Sequence, residues 1–421
     1  MSPFLTTAIL SALLSFVPSP ASAVTLESII DAYSLTSAHY NFTVPNQALD
    51  SSDANTWIGS NWSLNGDKVD WGNSYMYVTV KSVSSFFFVS RPRNVKQTIC
   101  SVFSADPSTT SSTFVRRQAS STSSSASSTK TKSAKTSSAV ATASATTSGV
   151  SYPAVTDLNG EPPVLRIEYP SGSYSKKTGG TQFYAQPLNG SDSSNGAYER
   201  MLLSYDIWFP TGFAWNKGGK LPGLRGGPEN HGCSGGDATN GTTCFSTRLM
   251  WRSNGSGEVY AYIPTTQKNF CSEKDVTCNS DYGTSLARGS FSFITGKWQT
   301  IYLLVILNEV GTANGVVQLW YNGVEVMKFT DLVIRTSDNI ASVGGLYFST
   351  FFGGDDSSWA TPTQQFTYYK NIQLYGGVSA SNLTGAAASS AGHRAAATDG
   401  MKSVGMGILL SLVYVAAGLL L

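Results

Sequence analysis

The chain has 421 residues, of which only 13% are charged, and a formal net charge of +2 at pH 7. That balance excludes a globally basic nucleic-acid binder. With 40 glycines and abundant Ser and Thr, it fits a loop-rich, β-rich extracellular protein better than a helical cytosolic enzyme.

In chain order, residues 1–23 read as a signal peptide: an apolar run from Ala8 to Val17 ends in Ala21-Ser22-Ala23, small residues that suit signal peptidase. Residues 24–105 form a small N-terminal module of unknown function, expected to be β-rich. It carries an Asn65-Gly66 turn signal and an alternating run from Tyr75 to Val80. Trp57, Trp62 and Trp71 are open to core packing and to stacking on sugars. Residues 106–150 are mostly Ser, Thr and Ala and read as a disordered, O-glycosylated linker. Arg116-Arg117 within it is a candidate dibasic processing site.

Residues 151–377 form the main domain. Short apolar or alternating runs recur between Gly, Asn and Pro, among them Met201 to Phe209, Phe245 to Trp251, Val259 to Ile263, Trp298 to Leu307 and Val316 to Tyr321. Asn322-Gly323 then reads as a two-residue hairpin turn. With no sustained helical period, the pattern predicts an all-β domain: a sandwich, jelly roll or barrel. Residues 378–421 read as a spacer and a GPI-attachment signal, with small residues around Ser390, the expected anchor site, before an uncharged tail from Ser403. A tail-anchoring helix is the alternative.

Five cysteines in a secreted chain imply disulfides. Four lie in the main domain and allow three connectivities; sequence proximity favours Cys233–Cys244 and Cys271–Cys278. Cys100 has no assigned partner. No Cys-x-x-Cys occurs, and neither metal nor cofactor is expected. Asn41, Asn61, Asn189, Asn240, Asn254 and Asn382 head glycosylation sequons.

Two neighbouring runs carry the candidate chemistry. On Phe245 to Trp251, strand alternation sends Phe245, Thr247, Leu249 and Trp251 to one face and Ser246 and Arg248 to the other. On Glu258 to Ile263, Val259, Ala261 and Ile263 share the apolar face, and Tyr260 and Tyr262 the opposite one. If the runs pair, Ser, Arg and two phenols make a floor for an anionic sugar. The stretch Lys217 to Leu224 reads on its own as a glycine-rich surface loop that could bring a lysine close to a ligand.

These stretches also carry a resemblance. Ser204 to Pro210, Lys217 to Leu224, Ser246 to Arg252, Glu258 to Tyr262, Tyr282 to Gly289, Trp320 to Gly323 and Phe348 to Gly354 together resemble the core of the family 14 polysaccharide lyases, which include alginate and glucuronan lyases. The likeness covers most of residues 151–377 and neither the N-terminal module nor the tails. It implies a jelly-roll β-sandwich and β-elimination on an acidic polysaccharide. It also implies catalytic roles for Lys220, Arg248, Tyr260 and Tyr262, with Ser246 binding substrate; Lys220 is preferred over Lys217 because it directly precedes Leu-Pro-Gly-Leu.

The chemistry suits these residue types. A cation can neutralise the uronate carboxylate, and a tyrosine can move protons once nearby cations lower its pKa. A glycoside hydrolase would need paired carboxylates, for which Glu168, Asp206, Glu258 and Asp281 are candidates. A non-catalytic sugar-binding wall protein is the other alternative. The expected protein is a secreted monomer, held at the cell surface or wall by a GPI anchor, with an acidic polysaccharide as its partner and no nucleic acid.

Overall fold

The computed structural model describes residues 23–70, 76–79, 163–188, 197–227, 233–237 and 239–388. Residues 1–22 of the expected signal peptide, the linker, Trp71, Cys100, Arg116, Arg117, Asn189 and Ser390 lie outside the described residues.

The elements begin with helix α1 (Leu26–Ala32), strand β1 (Ala38–Phe42), helix α2 (Ser51–Asn61), β2 (Leu64–Asp70) and β3 (Met76–Thr79). The main run continues with β4 (Val164–Tyr169), β5 (Thr181–Ala185), β6 (Arg200–Trp208), β7 (Gly218–Gly226), β8 (Phe245–Arg252), β9 (Gly257–Tyr262), β10 (Val276–Thr277) and β11 (Thr284–Leu286). It closes with β12 (Trp298–Ile306), β13 (Thr312–Ala313), β14 (Gly315–Tyr321), β15 (Val324–Leu332), β16 (Val343–Phe352), β17 (Gln365–Gly377) and β18 (Ala386–Ala387).

Most of these strands form two eight-stranded antiparallel sheets, packed face to face as a jelly-roll sandwich. One runs β15-β14-β12-β6-β17-β4-β3, with β1 also on β17; the other runs β10-β11-β9-β8-β7-β16-β5-β2. Strand alternation decides which residues meet between them. Leu203, Tyr205 and Ile207 of β6 and Ile301, Leu303 and Val305 of β12 face Phe245, Leu249 and Trp251 of β8 and Val259 and Ala261 of β9. At about 1.5–3 kcal/mol per fully buried large apolar side chain, this layer is the main source of stability. Asn322 (φ 51°) and Gly323 (φ 76°) make the expected hairpin turn between β14 and β15, a type I′ geometry that needs positive φ at both positions.

Three expectations are corrected. The described part of the expected module at 24–105, residues 24–70 and 76–79, does not stand apart as a β-rich unit. It includes two helices, and its strands join both sheets, β1 on β17, β3 on β4 and β2 on β5. Helix α1 and Leu35 lay Ile29 and Leu35 on the outer apolar patch of Leu202, Leu304, Ile306 and Trp320. Asn65-Gly66 is not a turn but lies within β2, whose pairing with β5 shifts register between Leu64 and Val69. Trp62 is core, with its indole N–H donating to the Thr43 carbonyl (2.8 Å), and Trp57 packs beside it.

The third correction places the site. Lys217 to Leu224 is not a surface loop: residues 218–226 are β7, a central strand between β8 and β16. Glycine and proline disguised it. A Cβ at Gly219 would lie 2.1 Å from the Trp251 ring, and one at Gly223 would lie 1.9 Å from the Thr247 carbonyl oxygen. The glycines are therefore demanded by close approach of neighbours. Pro222 sits at a register shift between Leu221 and Gly223, where the ladder is already interrupted.

Candidate active site

The outer face of the second sheet carries the site. β8 and β9 pair in the register Ser246 to Tyr262, Arg248 to Tyr260 and Met250 to Glu258, so these side chains stand opposite one another on one face. Ser285 of β11 is next to Tyr260, and Gly223 of β7 is next to Arg248. Beyond Gly223 stands Tyr347 of β16. The missing side chain at Gly223 lets Arg248 reach across β7. Its Nη1 donates to the Tyr347 hydroxyl and to Ser349 Oγ, both at 3.1 Å, and its guanidinium lies 4.4 Å from the Tyr347 ring centre. Tyr347 and Ser349 both donate onward to Gln182 Oε1 (2.9 and 3.3 Å).

Over this face lies a cleft of about 480 Å³. Lys220, Arg248, Tyr260 and Tyr262 all line it, so the structure brings together the four side chains expected to be catalytic. Lys220 Nζ sits 4.0 Å from the Tyr260 ring centre and 2.9 Å from the Met250 sulfur. Lys217 does not line the cleft; its ammonium donates to Ser358 Oγ at the surface. The tyrosines meet edge to face with ring centres 5.6 Å apart. Tyr260 accepts from the Gly283 N–H (3.0 Å), and Tyr262 accepts from the Gly236 N–H (3.1 Å).

Ser246 is placed differently from expectation. It faces the correct side of β8 but is fully buried and absent from the cleft lining. Its hydroxyl donates to the Cys233 carbonyl (2.6 Å), so it fastens the loop above it rather than touching a sugar. Both expected disulfides, Cys233–Cys244 and Cys271–Cys278, are formed. Each fixes a stretch that reaches the cleft, through Ser234 and Gly235 on one side and Thr277 and Asn279 on the other.

The electrostatics also depart from expectation. Nearby cations do not pull the Tyr260 phenol down. Burial raises its pKa, helped by Tyr262, and outweighs the Gly283 hydrogen bond and the Arg248 charge. Lys220 is pulled well below the usual lysine range by burial and then by the positive charges of Arg248 and Arg252, against a smaller opposing effect of Glu258. The site therefore keeps the Tyr260 phenol protonated and weakens the hold of the Lys220 amine on its proton. Arg248 is 2% exposed, and its Nε is buried with no protein hydrogen-bond partner among the described residues.

Further cleft groups escaped the sequence reading. Arg252 and Arg288 line it and pair with the buried Glu258; Tyr282 and Trp359 add aromatic surface. Alternation along β8 (Ser246, Arg248, Met250, Arg252) would have marked Arg252. The hydrolase candidates are dispersed. Glu168 and Asp206 lie on the other sheet, Asp281 is outside the lining, and Glu258 is locked between two arginines. Among the described residues Asp355 is the one carboxylate lining the cleft, so no pair flanks a bond there. No group of three or more His, Cys, Asp or Glu among the described residues is placed to hold a metal ion.

Known proteins resemble about half of the chain. The chain is 30% identical over 219 residues to an exolysin of Paramecium bursaria Chlorella virus 1; the match takes in 47% of this chain and 32% of the relative, so the chain spans about a third of that protein's length. Among solved structures, a marine alginate lyase from Aplysia kurodai is 40% identical, covering 52% of this chain and 85% of its own, with a TM-score of 0.47. An endo-β-1,4-glucuronan lyase from the fungus Trichoderma reesei is 10% identical, covering 52% and 82%, with a TM-score of 0.32. The family profile described as polysaccharide lyase 14 matches residues 157–372, the stretch that supplies most of the sandwich and lines the cleft, and the chain belongs to that family.

Proposed function

We propose that the protein cleaves a uronic-acid polysaccharide of the glucuronan or alginate type by β-elimination. The observation that carries this reading is the buried, unpartnered Nε of Arg248 beside Lys220, whose pKa is lowered by burial, and the protonated Tyr260. A buried donor without an acceptor costs about 1–3 kcal/mol, and a uronate carboxylate supplies the acceptor. With the carboxylate on Arg248, the Lys220 amine takes the C5 proton and the C5–H electron pair forms the C4–C5 double bond. The C4–O bond breaks, and the Tyr260 phenol protonates the departing oxygen. Arg248 holds the negative charge that builds on the carboxylate as the proton leaves. Tyr262, fixed by Gly236, lines the same wall.

The test is incubation of the purified protein with glucuronan, alginate and other polyuronates, following ultraviolet absorbance of the unsaturated product. A saturated reducing end would point to hydrolysis, and binding without turnover to a sugar-binding wall protein.

We also propose a secreted glycoprotein held at the cell surface or wall by a GPI anchor at Ser390. The support is the leader-like start and uncharged tail, two formed disulfides, and sequon asparagines 41, 61, 240, 254 and 382, all exposed. A GPI-cleaving phospholipase should release it from membranes, and mature protein that retains Leu421 would refute the anchor.

A further inference from the structure

Glu258 is fully buried, yet four donors converge on it. Its Oε1 accepts from Nε (2.9 Å) and Nη2 (2.5 Å) of Arg252; its Oε2 accepts from Ser285 Oγ (2.7 Å) and Arg288 Nε (2.6 Å). Two guanidiniums share one carboxylate, which leaves a net positive charge in the cleft wall. Arg252 is mostly covered, its side chain 17% exposed, whereas the Arg288 side chain is 47% exposed and lines the cleft. Among the described residues, Nη1 and Nη2 of Arg288 have no protein partner; only its Nε is engaged, by Glu258 and Ser285.

The backbone is built to present this arginine. Ala287 takes a left-handed conformation (φ 50°) that a non-glycine residue rarely adopts, and Gly289 follows at φ 85°. The turn is fixed on both sides, by the Ala287 N–H on the Asp275 carbonyl (2.7 Å) and the Gly289 N–H on the Gly257 carbonyl (2.9 Å). The cluster also has a defined place relative to Arg248. Ser285 stands directly opposite Tyr260, and Tyr260 directly opposite Arg248. Two strand spacings, about 10 Å, separate the strand of Arg248 from that of Ser285.

From these placements we infer that Arg288, held by Glu258, is a second carboxylate-binding group that reads a uronate neighbouring the one on Arg248. A guanidinium fixed through Nε offers its two remaining nitrogens as a fork, the geometry that matches a carboxylate. A purely structural role for the cluster would need only Arg252 and Ser285 to satisfy Glu258. It would leave unexplained why a strained turn holds a third donor half-exposed in the cleft. The consequence is a substrate preference: the protein requires a run of contiguous uronates and discriminates against polymers in which uronates alternate with neutral sugars. This rests on the proposed lyase function for the choice of ligand.

The test compares full-length wild type with Arg288→Gln and Arg288→Lys on alginate, on glucuronan, and on the same polymers with part of their carboxylates reduced to primary alcohols. Loss of a charge-assisted contact predicts a KM raised about tenfold in Arg288→Gln, with kcat within about threefold of wild type. Arg288→Lys should recover part of the loss, since it keeps the charge without the fork. The preference of wild type for the fully charged polymer should shrink in Arg288→Gln. An unchanged KM, a fall in kcat alone, or an unchanged preference overturns the inference. Glu258 keeps Arg252 and Ser285 in both variants, and thermal melts report folding. If wild type forms no unsaturated product, the lyase reading fails on its own. Calorimetric titration of saturated alginate and glucuronan oligosaccharides into wild type and Arg288→Gln still decides this one, with equal affinities counting against it.

Discussion

Replacing Arg248 by alanine removes the guanidinium that the proposed mechanism pairs with the uronate carboxylate. The fold should survive, because Tyr347 and Ser349, its two protein partners, both keep their hydrogen bonds to Gln182 Oε1. What disappears is a fixed cation whose contact strengthens as charge develops, and the loss of such a contact costs about a hundredfold or more in kcat/KM. A second signature follows from the position of Lys220. Burial is the main cause of its lowered pKa, and the Arg248 charge is the next. The sign is set by which form reacts. The neutral amine is the base, so activity rises as pH rises through the Lys220 pKa. Without the Arg248 charge that pKa moves back towards the ordinary lysine value, so the acid-side limb of the rate profile shifts to higher pH. The assay is kcat/KM against pH for wild type and Arg248→Ala, read from unsaturated product, with melts as the folding control. A loss smaller than about tenfold, or an acid limb that stays in place or moves down, refutes the assignment.

Tyr260→Phe removes one hydroxyl and the acceptor for the Gly283 N–H; it should lower kcat by about a hundredfold while polyuronate binding, measured by calorimetry, changes little. Tyr262→Phe should lose less if Tyr260 alone carries the leaving-group proton, and near-normal kcat in both variants would remove the phenols from the mechanism. Gly223→Ala forces a methyl into the Thr247 carbonyl at a strand centre; it should destabilise by about 1–3 kcal/mol in denaturant unfolding and disturb Arg248, whereas an unchanged midpoint would show that β7 yields at no cost.

Local alternation revealed much of the active-site floor, and long-range pairing hid the rest. The i, i+2 spacing of Arg248 with Ser246, and of Tyr260 with Tyr262, correctly predicted opposed apolar and polar faces, because a strand whose inner face packs against a second sheet fixes its parity. Parity does not say what covers a face. Ser246 shares the face of Arg248, yet the loop carrying Cys233 sits on it. Strand β7 was masked by composition: its glycines look like a loop in one dimension and become necessary only beside Trp251 and Thr247. The N-terminal segment looks separate in sequence for a similar reason. Nothing in Ala38 to Phe42 indicates that its partner is β17, more than three hundred residues on. The Glu258 cluster needed β9, β11 and the turn after it to meet.

The coupling between Arg248 and Lys220 bears on why the proposed mechanism uses cations and phenols and no paired carboxylates. In the proposed mechanism the guanidinium serves the base by repulsion before substrate binds, because burial and then the Arg248 charge lower the proton affinity of the amine. When a uronate carboxylate docks on Arg248, its negative charge offsets that repulsion, and the proton affinity of Lys220 rises. The amine thus holds a proton less tightly before binding and becomes a stronger base once the C5 proton is within reach. A carboxylate base in the same place would repel the substrate and would be held deprotonated, and so weakly basic, by the same arginine. Tyr260 completes the logic from the other side. Its burial keeps the phenol proton in place until the leaving oxygen acquires enough charge to take it.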